Sequence, residues 1–397
     1  MRRYMTTSRL KRLALLASDF LVGSYARLRK GFPRTTSQRS EVQSILVVAL
    51  GHLGDALLFS YMLPPLRDRF PKAAIDVLTG TYCAPIFRNN EYVRRVIGFD
   101  HFRLNRSRIS FASKVALHIS TLWRSVAQIR EARYDLSLDP KLHYPNGNLV
   151  TYLGNINRRI GFGSGGFGSL LTEEFELPAK PAFHYSEIMA MCLKASGVNS
   201  SARLLPYFRS QNRLPDSLKQ DMGGGCFTLI LPESGAPARM LSWDFWTRIV
   251  EQLLRRASCR ILIAGVDRTT SMWATQFLEE NPSARDRVVD IVGKLKLTDI
   301  YELGRLAMVS ITVESLPAHL CAVAGDTISL FKNGSGSLYF PIGGKTVTVF
   351  HDHADSRSLT QPAPGCHCAF FPSIESDDVL QALDNRILEL AASDKIS

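Results

Sequence analysis

The sequence predicts an α/β protein built from two doubly wound parallel sheets, and three observations carry this. The unbroken apolar run Ile45-Leu46-Val47-Val48-Ala49-Leu50 has the length and β-branched content of a strand buried on both faces. A glycine-containing loop, a helix-periodic stretch and a second apolar run follow it, the order of a β-loop-α-β unit. The same series starts afresh at Phe227, in a chain of 397 residues that is too long for one ordinary core and short for three.

The loop Gly51-His52-Leu53-Gly54-Asp55 closes the first strand, and Ala56 to Arg69 continues at helical spacing despite Pro64 and Pro65. Ala74 to Leu78 reads as the second strand and Val93 to Phe99 as a third. A long helix is expected over Ser113 to Glu131, then a strand over Tyr134 to Asp139 that ends in a polar loop. Arg159-Ile160-Gly161-Phe162 leads into a glycine-rich stretch through Gly168. Polar residues, Pro215 and the triplet Gly223-Gly224-Gly225 mark residues 211–225 as a linker. Beyond it, strands are expected at Phe227 to Leu231, Arg260 to Ala264, Val289 to Val292, Val309 to Val313 and Thr327 to Phe331, with a helix over Trp243 to Arg256. The expected divisions are an extension over residues 1–40, a first domain over 41–210, the linker, and a second domain over 226–397 that closes on a helix. Ligands of such sheets bind outside the carboxyl ends of the strands, so the loops that follow the strands carry the candidate chemistry.

The composition, 45% hydrophobic and 21% charged, is that of a globular protein and excludes a disordered chain. The net charge of +12 is uneven: residues 1–40 hold ten Arg or Lys against the single acid Asp19, a net +9. That concentration points to an anionic surface at this end and argues against a nucleic-acid groove across the body. Leu10, Leu13, Leu16 and Leu21 recur at near-helical spacing with Phe20 beside them, a basic amphipathic helix lying on a membrane. A flexible basic tail is the plainer reading. The uncharged run from Leu13 to Ser18 is too short to span a bilayer and has no small-residue cleavage site. Seven scattered cysteines make no disulfide framework and suit a reducing cytoplasm. Cys366, His367 and Cys368, after His351, Asp352 and His353, match no standard zinc spacing, and no metal is expected.

Asp55 stands where a helix should begin, on the carboxyl side of the first strand. A carboxylate there can take a proton from an attacking hydroxyl, or it can simply stabilise the helix start. Gly51, His52 and Gly54 line the same loop. In the second half, Glu314-Ser315-Leu316-Pro317-Ala318-His319 lies between a strand and a helix whose first-turn N–H groups suit a diphosphate. His319 adds a hydrogen bond there or is an ordinary helix histidine. Glu233, Ser234 and Gly235 close the strand at Phe227 and are placed for diphosphate or sugar. Asp267 is a nucleoside contact or a solvated loop acid. The Lys332 loop, with its glycines, is a weaker phosphate candidate.

The segment ILVVALGHLGDALLFSYMLPPLRDRFPKAAIDVLTG resembles the opening of the ADP-heptose:lipopolysaccharide heptosyltransferases, with strand, Gly-Asp pair, apolar-proline helix and Arg-Phe-Pro turn in the same order. YDLSLDP and RRIGF are similar to later elements of that family's acceptor domain. LILPESGAPARMLSWDFWTRIVEQL and VVDIVGKLKLTDIYELGRLAMVSITVESLPAHLCAVAGDTISLF are similar to its donor half, so the resemblance runs from about Ile45 to about Leu390. It implies the GT-B fold, two Rossmann-like domains facing a central cleft, and it makes Asp55 the catalytic base. Two departures stand out. The family's Asp-Ser/Thr-Gly before the histidine is Glu314-Ser315-Leu316 here, and its lysine two residues before the helix tryptophan is Leu241, with Arg239 the nearest cation.

The resulting expectation is an inverting, metal-independent glycosyltransferase with no cofactor beyond its nucleotide-diphosphate sugar, an ADP-sugar by resemblance. Its acceptor would be a lipopolysaccharide-core or other envelope glycan, at the inner face of the cytoplasmic membrane. The alternatives are a relative using another nucleotide sugar and a non-catalytic sugar-binding or scaffold protein at the membrane.

Overall fold

The computed structural model describes residues 4, 8–30, 41–105, 107, 109–177, 184–199, 206–210, 213–256, 258–332, 339–343, 346–351 and 366–392. The chain divides into two compact units, Met1–Ala179 with Tyr185–Arg209, and Lys180–His184 with Ser210–Ser397. Among the described residues before 41, the helix Arg9–Lys30 packs against residues 168–170 of the first unit.

In the first unit the order is α1 (Arg9–Lys30), β1 (Ser44–Ala49), α2 (Leu53–Phe59), α3 (Leu63–Arg69), β2 (Ala74–Thr79), α4 (Ala84–Phe87), β3 (Arg95–Gly98), α5 (Phe111–Ala132), β4 (Leu136–Asp139), α6 (Asn146–Leu153), β5 (Arg158–Phe162), β6 (Glu173–Phe175) and α7 (Tyr185–Ala195). The six strands form one parallel sheet in the order β3-β2-β1-β4-β5-β6. Every residue of β1 and β4 is buried, which explains why β1 reads as an uninterrupted apolar run. The single helix expected over Ala56 to Arg69 is broken: α2 ends at Phe59, a 3₁₀ turn spans Ser60–Met62, and α3 restarts with Pro64 in its first turn. Proline lacks the N–H that a helix interior needs but is tolerated at a helix start, so the prolines mark a new beginning.

In the second unit the order is α8 (Asp216–Met222), β7 (Phe227–Leu231), α9 (Trp243–Arg256), β8 (Arg260–Ile263), α10 (Arg268–Glu280), β9 (Val288–Asp290), α11 (Leu297–Leu306), β10 (Val309–Val313), α12 (Leu316–Ala324), β11 (Thr327–Phe331), β12 (Thr346–His351), β13 (Cys366–Phe371) and α13 (Asp377–Ala392). Its parallel sheet runs β13-β12-β11-β10-β7-β8-β9. The segment expected to be linker carries α8, whose Leu218 is buried against Phe227 and Leu229, so residues 216–222 belong to this unit's core. Here the polar and glycine signal marked only the helix end: Gly223, at φ 70°, is its left-handed cap.

Each sheet reverses its strand order once, between β1 and β4 in the first unit and between β7 and β10 in the second. Crossover connections leave in opposite directions at these points, and the strand ends there stay uncovered.

Two findings depart from the cysteine reading. The parallel register pairs Phe227 with Arg260, which places Cys226 and Cys259 side by side one residue earlier, and they form a disulfide with Cα atoms 4.9 Å apart. Register also separates the suspected metal residues: Cys366 to Cys368 pair with Thr346 to Thr348, whereas His351 pairs with Phe371 at the other strand end. Along the strand this is three to five residues, about 10 to 16 Å. Asp352 and His353 lie outside the described residues. Among the described residues no group of three His, Cys, Asp or Glu side chains is placed to hold a metal ion, and no helix is long and apolar enough to cross a membrane.

The disulfide closes a sequence separation of 33 residues, which in the chain-entropy account is worth about 4 kcal/mol. In protein unfolded without reductant, Cys226 and Cys259 should stay unreactive toward a thiol reagent while Cys83, Cys192, Cys321 and Cys368 react. The Cys226→Ser variant should be less stable by that energy, read as a lower denaturant midpoint by circular dichroism.

Candidate active site

In the first unit the switch point brings together the loops after β1 and β4. Asp55 is the third residue of α2, and its Oδ2 accepts a hydrogen bond from the His52 backbone N–H at 2.9 Å, so it caps the helix. The same oxygen accepts from Lys141 Nζ at 3.0 Å, from the loop after β4. Both sequence readings of Asp55 are thus realised by one oxygen, and Oδ1 has no partner among the described residues. Burial pushes the Asp55 carboxyl up, but Lys141 and the His52 amide outweigh it, so the pKa is lowered and the group is ionised at neutral pH. Gly51 permits this geometry: a Cβ there would lie 2.4 Å from Asp55 Oδ2. Its carbonyl also accepts from the Tyr82 hydroxyl at 2.7 Å. Gly54 lies in the first turn of α2.

Lys141 was not singled out in the sequence. The one signal for it was its position two residues beyond a strand end, which is informative only once β4 is known to lie beside β1. Its side chain is 5% exposed, and it borders a small recess lined by Leu50, His101, Leu104, Tyr144 and Asn146. Burial and Lys141 lower the pKa of neighbouring His143, keeping that imidazole neutral. Asp139, at the end of β4, accepts from the Lys141 backbone N–H at 3.0 Å. It is otherwise enclosed, and burial pushes its pKa up to about 7.

In the second unit the switch point joins the loops after β7 and β10. Ser315 precedes α12, but its hydroxyl donates to the Val313 carbonyl and does not cap the helix, so the first-turn N–H groups keep no side-chain cap. Leu316 and Pro317 open that helix, and His319 follows within it, buried. Burial lowers the pKa of nearby His184 to about 3, with His319 adding to the effect, and the His184 ring nitrogen lies 2.9 Å from the Phe340 carbonyl. Ser234 donates to the Glu314 carbonyl at 2.8 Å, tying the two loops together, and Gly235 follows it in the β7 loop.

The two departures noted in the sequence meet here. Arg239 Nε lies 3.1 Å from Glu314 Oε1, and the Glu314 side chain is 8% exposed with Oε2 unpartnered. Burial raises the pKa of Glu314, and Arg239 counteracts this. Leu241, at the place of the family lysine, is packed in the apolar core. That position supplies no cation, and Arg239 stands against Glu314 just before α12.

Other candidates are placed differently. Glu233 accepts from the Val266 and Asp267 backbone N–H groups at 2.7 and 2.9 Å and from the Thr270 hydroxyl, so it anchors the loop after β8. Asp267 caps α10 by accepting from the Thr269 N–H, which lowers its pKa. Lys332 donates to Glu375 Oε1 at 3.0 Å, and the glycine loop after it lies outside the described residues.

No family model and no curated protein matches the chain. Solved structures do. Escherichia coli ADP-heptose lps heptosyltransferase II is similar with a TM-score of 0.65 at 16% identity, over 88% of this chain and 100% of that one. A glycosyl transferase family 9 structure from Veillonella parvula gives 0.69 at 15%, over 88% and 98%. E. coli heptosyltransferase WaaC with ADP gives 0.62 at 16%, over 88% and 100%. The chain therefore has the heptosyltransferase-like α/β fold, with two parallel sheets of six and seven strands.

Removing Lys141 removes the largest influence that lowers the Asp55 pKa and leaves His52 alone against burial, so Lys141→Met should raise it. Carboxyl carbon NMR titration of Asp55 in both proteins measures this; an unmoved titration would mean that the ion pair is not formed in solution. For Asp139 the sign is opposite. Its folded pKa lies above the unfolded value, so its contribution to stability is fully present below about pH 4 and is lost by about pH 7, a total on the order of 4 kcal/mol. Asp139→Asn should abolish that loss, as followed by urea midpoints across the same pH range.

Proposed function

We propose that the protein is an inverting glycosyltransferase that moves a sugar from a nucleotide-diphosphate donor to a hydroxyl of an envelope glycan. The observation that carries this reading is an ionised Asp55 at a switch point, held through one oxygen by Lys141 and His52, with no partner for the other oxygen among the described residues. Such a carboxylate can take the proton from an acceptor hydroxyl as that oxygen attacks the anomeric carbon from the side opposite the leaving diphosphate. The diphosphate gains negative charge as the glycosidic bond breaks. The uncapped N–H groups at the start of α12, the Ser234-Gly235 loop, Arg239 and His319 supply donors for it. Donors of this kind replace a divalent metal in that role.

The similar structures carry ADP and an ADP-heptose analogue, by their descriptions, which supports an ADP-sugar as the first donor to test and a lipopolysaccharide-core glycan as acceptor. The acceptor would be presented at the inner face of the cytoplasmic membrane. A different nucleotide sugar is the second reading, favoured by the buried Glu314 paired with Arg239 where the family has a shorter acid and a separate lysine.

Calorimetry with ADP, UDP, GDP and CMP in the presence of a chelator tests the donor side. Selective ADP binding is expected, weakened about tenfold to a hundredfold in Arg239→Ala by loss of a charge-assisted hydrogen bond, and weakened also in His319→Ala. Selectivity for another nucleotide would move the donor to the second reading. Binding of none would favour a non-catalytic sugar-binding or scaffold role.

A further inference from the structure

We propose that the face of the first unit built by α1, α6 and α5 is a docking surface for an anionic lipid bilayer, into which α1 and α5 each insert an apolar stripe. The proposal deepens the peripheral location in the preceding reading and does not rest on the transfer reaction.

The way α1 attaches to its unit is inverted relative to an ordinary amphipathic helix. Its docked side is polar and small. Asp19 is buried and accepts from the Phe167 backbone N–H and, at 2.7 Å, from the Tyr4 hydroxyl. Gly23 lies against Ser169, where an added Cβ would come within 3.2 Å. Leu15, whose Cδ2 lies 2.9 Å from where a Cβ on Gly166 would stand, and Val22, packed with Tyr152 and Leu170, are its apolar contacts. The apolar side points outward: Leu10, Leu13, Phe20 and Leu21 are all exposed, the last two at 68% and 67%. A helix held by a buried carboxylate with its leucines in water leaves its main apolar surface for something other than its own fold.

A second stripe lies on α5. Ile119 and Trp123, one turn apart, are 49% and 59% exposed, with exposed Ala112, Ala116 and Ala127 continuing the same spacing. The opposite side of α5, with Val126 and Ile129, is buried in the core. Both stripes belong to one face of the unit, because α6 lies between them: its Leu153 packs with α5 in one cluster and with Val22 of α1 in another.

Charge selects the occupant. Exposed Arg9 and Arg12 flank the α1 stripe and Arg124 and Arg130 the α5 stripe, while residues 1–40 carry a net +9. A second copy docked by twofold symmetry would set this positive segment against itself, whereas an anionic bilayer offers apolar depth under a negative surface. Tryptophan at such a boundary is the expected anchor.

Trp123 is the one tryptophan of the first unit; Trp243, Trp246 and Trp273 are in the second. Full-length protein is mixed with phosphatidylcholine vesicles, with or without phosphatidylglycerol, and followed by sedimentation and tryptophan emission. Binding should require phosphatidylglycerol and should shift emission to the blue. Brominated acyl chains should quench that emission, and the shift and quenching should be absent in Trp123→Phe. The exposed double variants Phe20→Ser with Leu21→Ser, and Ile119→Ser with Trp123→Ser, should each weaken partitioning by at least about tenfold. Nucleotide binding measured on the same preparations reports that the variants are folded and keeps failure of the donor reading separate from failure of this one. Absence of vesicle binding, binding that leaves Trp123 open to aqueous quenchers, or lipid-free self-association that buries Trp123 would each overturn the proposal.

Discussion

A parallel sheet wound in both directions from its middle has one place where neighbouring strands send their connections to opposite faces, and the strand ends there stay open. The rest of this protein's chemistry hangs on that constraint, met twice. In the first unit β1 and β4 deliver Asp55 and Lys141 to the same point; in the second, β7 and β10 deliver Ser234, Arg239 and Glu314 to the start of α12. No single loop holds either constellation.

The two points are tuned by the same competition and reach different outcomes. At Asp55, burial opposes ionisation but a lysine and a backbone amide on one oxygen outweigh it, which yields a charged group whose other oxygen has no partner among the described residues. At Asp139, a few residues from Lys141 in structure as in sequence, one backbone hydrogen bond does not offset burial, and the pKa climbs to about 7. Glu314 is intermediate: Arg239 compensates burial only in part. Neighbouring carboxyls held apart in this way allow one to act as a base while another serves the fold.

The Glu314-Arg239 contact also changes how the two sequence departures are understood. Read along the chain they are separate losses, a longer acid and a missing lysine. In space they are one substitution, in which Leu241 joins the apolar core and the cation stands two residues earlier, against the longer acid. The cysteines teach the same point, since Cys226 and Cys259 are neighbours only because β7 and β8 pair in that register.

The sequence by itself determined the elements and their alternation. Phe227–Leu231, Trp243–Arg256, Val309–Val313 and Thr327–Phe331 are found where they were expected, because burial on both strand faces and helical periodicity are local patterns. It also determined that Asp55 and the α12 start sit at carboxyl ends of strands. Only the tertiary structure decided what those groups touch. Lys141 lies 86 residues from Asp55, Glu233 and Asp267 are committed to holding a loop and capping α10, and the apolar side of α1 faces outward because a buried Asp19 holds the other side down. Strand order and helix docking are chosen by contacts between distant segments, and no local spacing encodes which segments those are.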